Sequence, residues 1–223
     1  MPYSKETDKA ILIADLAGYT ALTEAHGNRS AAEIVTRYLH IVQESLQSDA
    51  TLVERVGDEV LIMAPEAASV IWTAVRIREA VEQEPCFPTL HAGIHAGNLL
   101  EQDGHFYGSA LNLASRVAVH ARGGQILCTA EVTMAARGLQ DIVFHPLGPA
   151  RFKNISRPIE LFEVIRKSKK DEMHIIDPVC RMQVSQKTAP ARLPFEGNIY
   201  YFCSFDCARA FVKNPDFYRK ECL

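Results

Sequence analysis

No stretch of the 223 residues stays apolar for the ~20 positions that a bilayer-spanning helix needs, so no membrane role is expected. Basic excess is missing too. The 24 Lys and Arg stand against 27 Asp and Glu, a net charge of −3, which disfavours a nucleic-acid partner. The opening MPYSKETDKA lacks a positive segment followed by an apolar one, so no secretory leader is expected and a cytoplasmic location is the default. Internal repeats and low-complexity tracts are absent. With 48% hydrophobic and 23% charged residues, the composition is globular and excludes disorder, collagen and coiled coil.

Cysteine is sparse until the end of the chain. Cys86 and Cys128 stand apart and read as core residues, whereas Cys180, Cys203, Cys207 and Cys222 fall in the last fifth. Clustering in a reducing compartment points to metal ligation or redox work rather than a disulfide scaffold.

Along the chain, AILIADL (10–16) reads as a buried strand that delivers Asp15 to a turn. Ser30 and Glu33 form a capping box ahead of apolar positions at helical spacing through Leu46. Residues 51–56 and 59–64 read as a hairpin with Gly57-Asp58 at its tip. A helix is predicted over 66–83, and a strand over 89–101 whose glycines invite close backbone approach. A small-residue helix over 109–121 carries Asn112 and Arg116 on one face. A strand, a short helix and two further strands follow to about residue 165. This order predicts an α+β sandwich of helices on an antiparallel sheet. The polar run 167–175 reads as a linker. The segment beyond it is small enough that a bound metal would help it fold.

Two acids at strand ends beside glycine turns are what a phosphate site needs to hold Mg²⁺. The turn Leu16-Ala17-Gly18-Tyr19-Thr20 would offer backbone groups to phosphate oxygens. An Arg on the helix could neutralise charge on a phosphoryl group. Taken singly, Asp58 reads equally as a turn former and Arg116 as a solvated helix residue.

The stretches IADLAGYTALT (13–23), VERVGDEVLIM (53–63), HAGIHAGNL (91–99), FYGSALNLASR (106–116) and GGQILCTAEV (123–132) occur in this order. Together they resemble the class III adenylate/guanylate cyclase catalytic domain. The resemblance implies a ferredoxin-like cyclase fold, an antiparallel-rich sheet covered by helices, over residues 1–166. It implies that Asp15, Asp58 and the Leu16 backbone hold two Mg²⁺ or Mn²⁺ ions. It implies that Gly18, Tyr19 and Thr20 meet the triphosphate, that Asn112 orients the ribose, and that Arg116 stabilises the transition state. The reaction implied turns ATP or GTP into a 3′,5′-cyclic nucleotide and pyrophosphate, a signalling chemistry, at the interface of a homodimer. Prevalence in the family favours ATP. The purine-reading position holds Glu54 where a Lys is usual, and a carboxylate suits guanine. His105 occupies the second base-reading position and does not decide. Lys153 is a loose candidate for gripping the triphosphate, as is Arg157. The missing purine Lys also leaves a second reading, a degenerate cyclase fold that binds nucleotide or metal as a regulator.

The pieces DPVCRM, GNIYYFCSFDCARAF and NPDFY resemble a YHS domain, a small treble-clef-like module, over 176–223. Cys180, Cys203 and Cys207 are its candidate ligands for Zn²⁺ or Cu⁺. His174 and Cys222 are candidate fourth ligands. Arg181 stands where Gly is usual. Tyr200, Tyr201, Phe202, Phe205, Phe211, Phe217 and Tyr218 are expected to form the module's core. The remaining histidines, His26 and His91 among them, show no ligand spacing and are expected to be structural.

Overall fold

A computed structural model describes residues 4–167 and 175–220. The apolar run at 10–16 is the buried end of a longer strand, β1 (Ser4–Leu16). Helix α1 (Tyr19–Ser45) starts straight after the Gly18 turn rather than at Ser30, which lies inside it. The helix kinks at Gly27, whose φ of 79° and ψ of 167° leave helical space. The hairpin forms as expected, from β2 (Thr51–Val56) and β3 (Glu59–Ala64). Next come α2 (Ala67–Gln83), the short β4 (Phe87–Pro88) and the long β5 (Leu90–Gln102). Strands β2, β3, β1 and β5 lie side by side in that order, each antiparallel to its neighbour. The connectivity β-α-β-β-α-β over that order is ferredoxin-like.

The sheet continues past β5. After β6 (His105–Tyr107) and α3 (Ser109–His120) come β7 (Ile126–Thr129), α4 (Ala130–Ala135), β8 (Ile142–Ala150) and β9 (Ile159–Arg166). Strand β7 pairs parallel with β5, β9 and β8 extend the sheet antiparallel, and β6 folds back on β5.

Period-two alternation sorts β1 into two faces. Ala10, Leu12, Ala14 and Leu16 pack with Tyr38, Ile41 and Val42 of α1 and Val70, Ile71 and Ala74 of α2. Ile11 and Ile13 pack instead with Ala110, Ala114 and Ala118 of α3. Asp15 shares their parity and stands on the α3 side, where that helix ends. Gly93 lets α3 come close: a Cβ there would collide with the backbone of Ala118.

The second unit holds β10 (Ile175–Ile176), β11 (Met182–Val184), β12 (Ala191–Phe195), β13 (Asn198–Phe202), α5 (Phe205–Lys213) and α6 (Pro215–Lys220). Strands β12 and β13 form a hairpin. Phe202 and Phe211 are fully buried, and Phe195, Tyr200 and Tyr218 surround Phe211. Phe205 and Phe217 depart from expectation. They are 69% and 52% exposed.

This unit does not stand apart from the first. Strand β11 pairs with β4, and the buried Gln183 side chain donates to the Val81 carbonyl oxygen at 2.7 Å. Leu22 and Ala31 of α1 share one apolar cluster with Val179, Cys180, Phe202, Cys207 and Phe211. Most of the expected linker, residues 168–174 with His174, lies outside the described residues, as does Cys222. No helix among the described residues is long and apolar enough to cross a membrane.

Candidate functional site

The β1 register carries Asp15 to the edge of the α3 helix end, and the β2–β3 turn brings Asp58 beside it. The opposing residue on β5 is His91. Its Nε2 lies 3.3 Å from Asp15 Oδ2 and its Nδ1 3.3 Å from the Ala121 carbonyl oxygen. Both partners are acceptors, so the doubly protonated ring satisfies both contacts. Burial opposes that charge, but the hydrogen bond and charge of Asp15 outweigh it and hold His91 above its ordinary value. Burial likewise pushes Asp15 up, yet contact with His91 and then Asp58 leaves it lowered overall. Asp58 has no hydrogen bond to that ring. Burial first, and then the Asp15 carboxylate, push it up to about 7. The Leu16 backbone favours the charged form of both acids.

Oδ1 of Asp15 and Oδ2 of Asp58 are buried without a hydrogen-bond partner among the described residues. Two adjacent, desolvated carboxylate oxygens with nothing to accept from are the donor set of a hard divalent cation. The residues present therefore fit Mg²⁺ or Mn²⁺.

The other candidates gather elsewhere. Asn112, Arg116 and Lys153 line one cavity of 640 Å³, together with His95, Asn98 and Arg157. Asn112 and Arg116 are one turn apart on the exposed face of α3, held there because Leu113, Ala114 and Val117 face the sheet. Arg157 reaches Glu131 at 3.6 Å, and His95 hydrogen-bonds the Thr129 hydroxyl at 2.8 Å. Asp15 and Asp58 do not line this cavity. Glu54 on β2 and His105 at the start of β6 are exposed and line it neither.

Gly18 adopts φ 85°, and Thr20 is exposed on the first turn of α1. The Ala17 N–H is already used, donating to the Thr89 carbonyl oxygen at 2.8 Å. The Gly18 turn is covered by the second unit: a Cβ on Gly18 would collide with Cβ and Cγ of Arg181. Arg181 itself sits at φ 66°, the left-handed backbone that explains why Gly suits this place. Gly18, Thr20, Arg181 and Cys207 line a 700 Å³ cavity between the units.

Cys180, Cys203 and Cys207 come together as expected. The Sγ of Cys203 lies 3.4 Å from that of Cys180 and 3.7 Å from that of Cys207, and all three are free thiols. The fully buried Asp177 joins the two turns that carry them, accepting from the backbone N–H of Val179 and of Cys203, each at 2.8 Å. Hydrogen bonds from Cys180 and Cys203 hold the Cys207 thiol far below its ordinary value, with help from the Ser204 hydroxyl. One member was missed from the sequence. His26 of α1 places Nε2 3.5 Å from Cys203 Sγ and 3.6 Å from Cys207 Sγ. Its 177-residue separation from Cys203 gave no local signal; the only clue was the i, i+4 spacing with the apolar Leu22. His91 was also undervalued, because its role depends on cross-strand register.

A family model for the YHS domain matches residues 175–221. The chain is 29% identical over 162 residues to a pH-sensitive adenylate cyclase of Mycobacterium tuberculosis, covering 70% of this chain and 40% of that protein. It spans less than half the length of the curated relatives it matches. Among solved structures, the adenylate/guanylate cyclase/hydrolase from Silicibacter pomeroyi superposes with a TM-score of 0.67 at 25% identity, over 73% of this chain and 99% of that one. The adenylyl cyclase CyaB from P. aeruginosa gives 0.66 at 19% identity, over 76% and 98%. Residues 175–221 are a YHS domain, and the chain before them has the fold of the class III adenylate/guanylate cyclase catalytic domain.

Proposed function

We propose that the chain is a nucleotide cyclase that converts ATP or GTP to the 3′,5′-cyclic nucleotide and pyrophosphate, with residues 1–166 as the catalytic unit and 176–223 as a metal-binding one. The observation that carries this reading is the pair of orphaned carboxylate oxygens on Asp15 and Asp58. The cyclase relatives and cyclase folds support it.

Two Mg²⁺ or Mn²⁺ ions, held by Asp15, Asp58 and the Leu16 backbone, would supply acidity to the ribose 3′-hydroxyl and anchor the triphosphate. His91 keeps Asp15 charged and fixed in place. Asn112 would hold the ribose so that its 3′-oxygen lies in line with the α-phosphorus. Arg116 would meet the charge that develops on the α-phosphoryl oxygens, and Lys153 the leaving pyrophosphate. Asp15 and Asp58 are not among the described residues that line the Asn112/Arg116/Lys153 cavity. A head-to-tail homodimer would bring one set from each protomer, making two sites. Glu54 would read the base, accepting from guanine N1–H and its exocyclic amine, while His105 can serve either purine.

Incubating the dimeric protein with ATP or GTP and Mn²⁺, with chromatographic detection of cyclic product, tests this. Product from at least one nucleotide is expected. None from either would overturn the assignment.

A further inference from the structure

We propose that His26 and the three thiols of Cys180, Cys203 and Cys207 form one tetrahedral Zn²⁺ site, in which the ion fastens the YHS domain to the first helix of the cyclase-type unit. The site is not contained in the YHS domain: its fourth ligand comes from α1.

Four of the six distances between the donor atoms are close to those of a tetrahedral site. A tetrahedron with ~2.3 Å Zn–S and ~2.0–2.1 Å Zn–N bonds has edges of about 3.8 Å between sulfurs and about 3.6 Å between sulfur and nitrogen. The distances in the structure are 3.4 and 3.7 Å from Cys203 to the other sulfurs, and 3.5 and 3.6 Å from His26 Nε2 to Cys203 and Cys207. All four donor atoms lie within 4.8 Å of one another. A disulfide would need two of these sulfurs about 2.05 Å apart.

The surroundings fix each donor. Cys180 and Cys207 are buried, at 0% and 2% exposure. Cys207 lies in the first turn of α5, its backbone N–H donating to the capping Ser204 hydroxyl, where the helix end favours a thiolate. Asp177 ties the Cys180 turn to the backbone of Cys203. On the other side, His26 is one helical turn beyond the fully buried Leu22, which already sits in the shared cluster. The kink at Gly27 follows His26 directly, so the ligand belongs to the short helical piece that begins at the Gly18 turn.

A mixed set of three thiolates and one imidazole in four-coordinate array suits Zn²⁺. Ion binding would release the thiol protons to solvent. Because α1 starts straight after Gly18, occupancy would also hold the Gly18–Thr20 turn under Arg181.

The full chain, purified reduced, would be titrated with Zn²⁺ against a chelator and with Co²⁺ as a spectroscopic stand-in, in excess Mg²⁺ to occupy carboxylate sites. Expected are tight binding of one Zn²⁺, Co²⁺–thiolate charge-transfer bands, and strong tetrahedral d–d absorption. His26→Ala should weaken Zn²⁺ by at least about 10-fold and change the d–d bands while thiolate bands remain. His26→Cys should restore tight binding, which separates ligand loss from misfolding. Zn²⁺ should slow amide exchange over residues 19–26 in the parent and not in His26→Ala. Unchanged affinity and spectrum in His26→Ala would remove the imidazole from the site. A parent that takes up neither Zn²⁺ nor Co²⁺ would overturn the proposal.

Discussion

Asp15 and His91 face each other across β1 and β5, with 3.3 Å between Oδ2 and Nε2, and the pair leaves Asp58 without a hydrogen bond to that ring. The consequences run through pH and metal.

Asp58 is held at about 7 against an ordinary 3.8, so the folded chain binds that proton more tightly than the unfolded one. In metal-free protein this costs stability as pH rises from the ordinary carboxylate value to about 7, and the cost persists above it. His91, also raised, acts in the same direction: its contribution is full below its ordinary 6.5 and fades as pH climbs through its folded value. A divalent cation would take the place of the proton that Asp58 carries. We therefore expect Mn²⁺ to raise the melting temperature more at about pH 8 than at about pH 5.5. Calorimetry with Mn²⁺ and with EDTA would show it, and equal shifts at the two pH values would contradict it.

Removing His91 should loosen Asp15. His91→Ala is expected to weaken Mn²⁺ activation by roughly 10–100-fold, the usual scale for a partner that orients a ligand. His91→Gln, which can still donate to Asp15, should recover part of the loss. The Mn²⁺ dependence of cyclic product formation is the measurement.

Asp58→Ala and Arg116→Ala should each lower turnover by roughly 100-fold or more. If the two residues act from different protomers, mixing the two variants restores one intact site in each mixed dimer. Recovery to about a quarter of parent activity is expected from random pairing. No recovery, with mixed dimers demonstrated, would place both residues in one chain's site.

Glu54→Lys should move preference from GTP toward ATP, read as the ratio of kcat/KM for the two nucleotides. An unchanged ratio would show that residue 54 does not read the base.

Gly93→Ala would force a methyl group against the backbone of Ala118. Overpacking of this kind costs about 1–3 kcal/mol. Urea unfolding should register that loss, and the displaced α3 should carry Asn112 and Arg116 with it.

Much of the first unit was legible because its signals are local. Gly57-Asp58 between two β-rich runs fixes a hairpin, and the parity of Ile11, Ile13 and Asp15 follows from strand geometry alone. The start of α1 was misread because Ser30 and Glu33 imitate a cap; the helix had already begun at Tyr19 and been bent at Gly27. What the sequence hid is what depends on distant partners. His91 matters only through its register with Asp15, His26 only through a fold that returns the chain to it after 177 residues. Phe205 and Phe217 looked like core because aromatic type says nothing about which way a short helix turns its faces.

The two-residue strand at Phe87-Pro88 is small, yet it changes what kind of object the C-terminal segment is. A tail that takes a strand partner, the Val81 carbonyl and the Leu22 surface from its neighbour is no portable cassette. Grafted onto another host, it would lack its seat unless those positions travelled with it. The seam between the two parts runs through the first helix, the end of the second and the short strand after it.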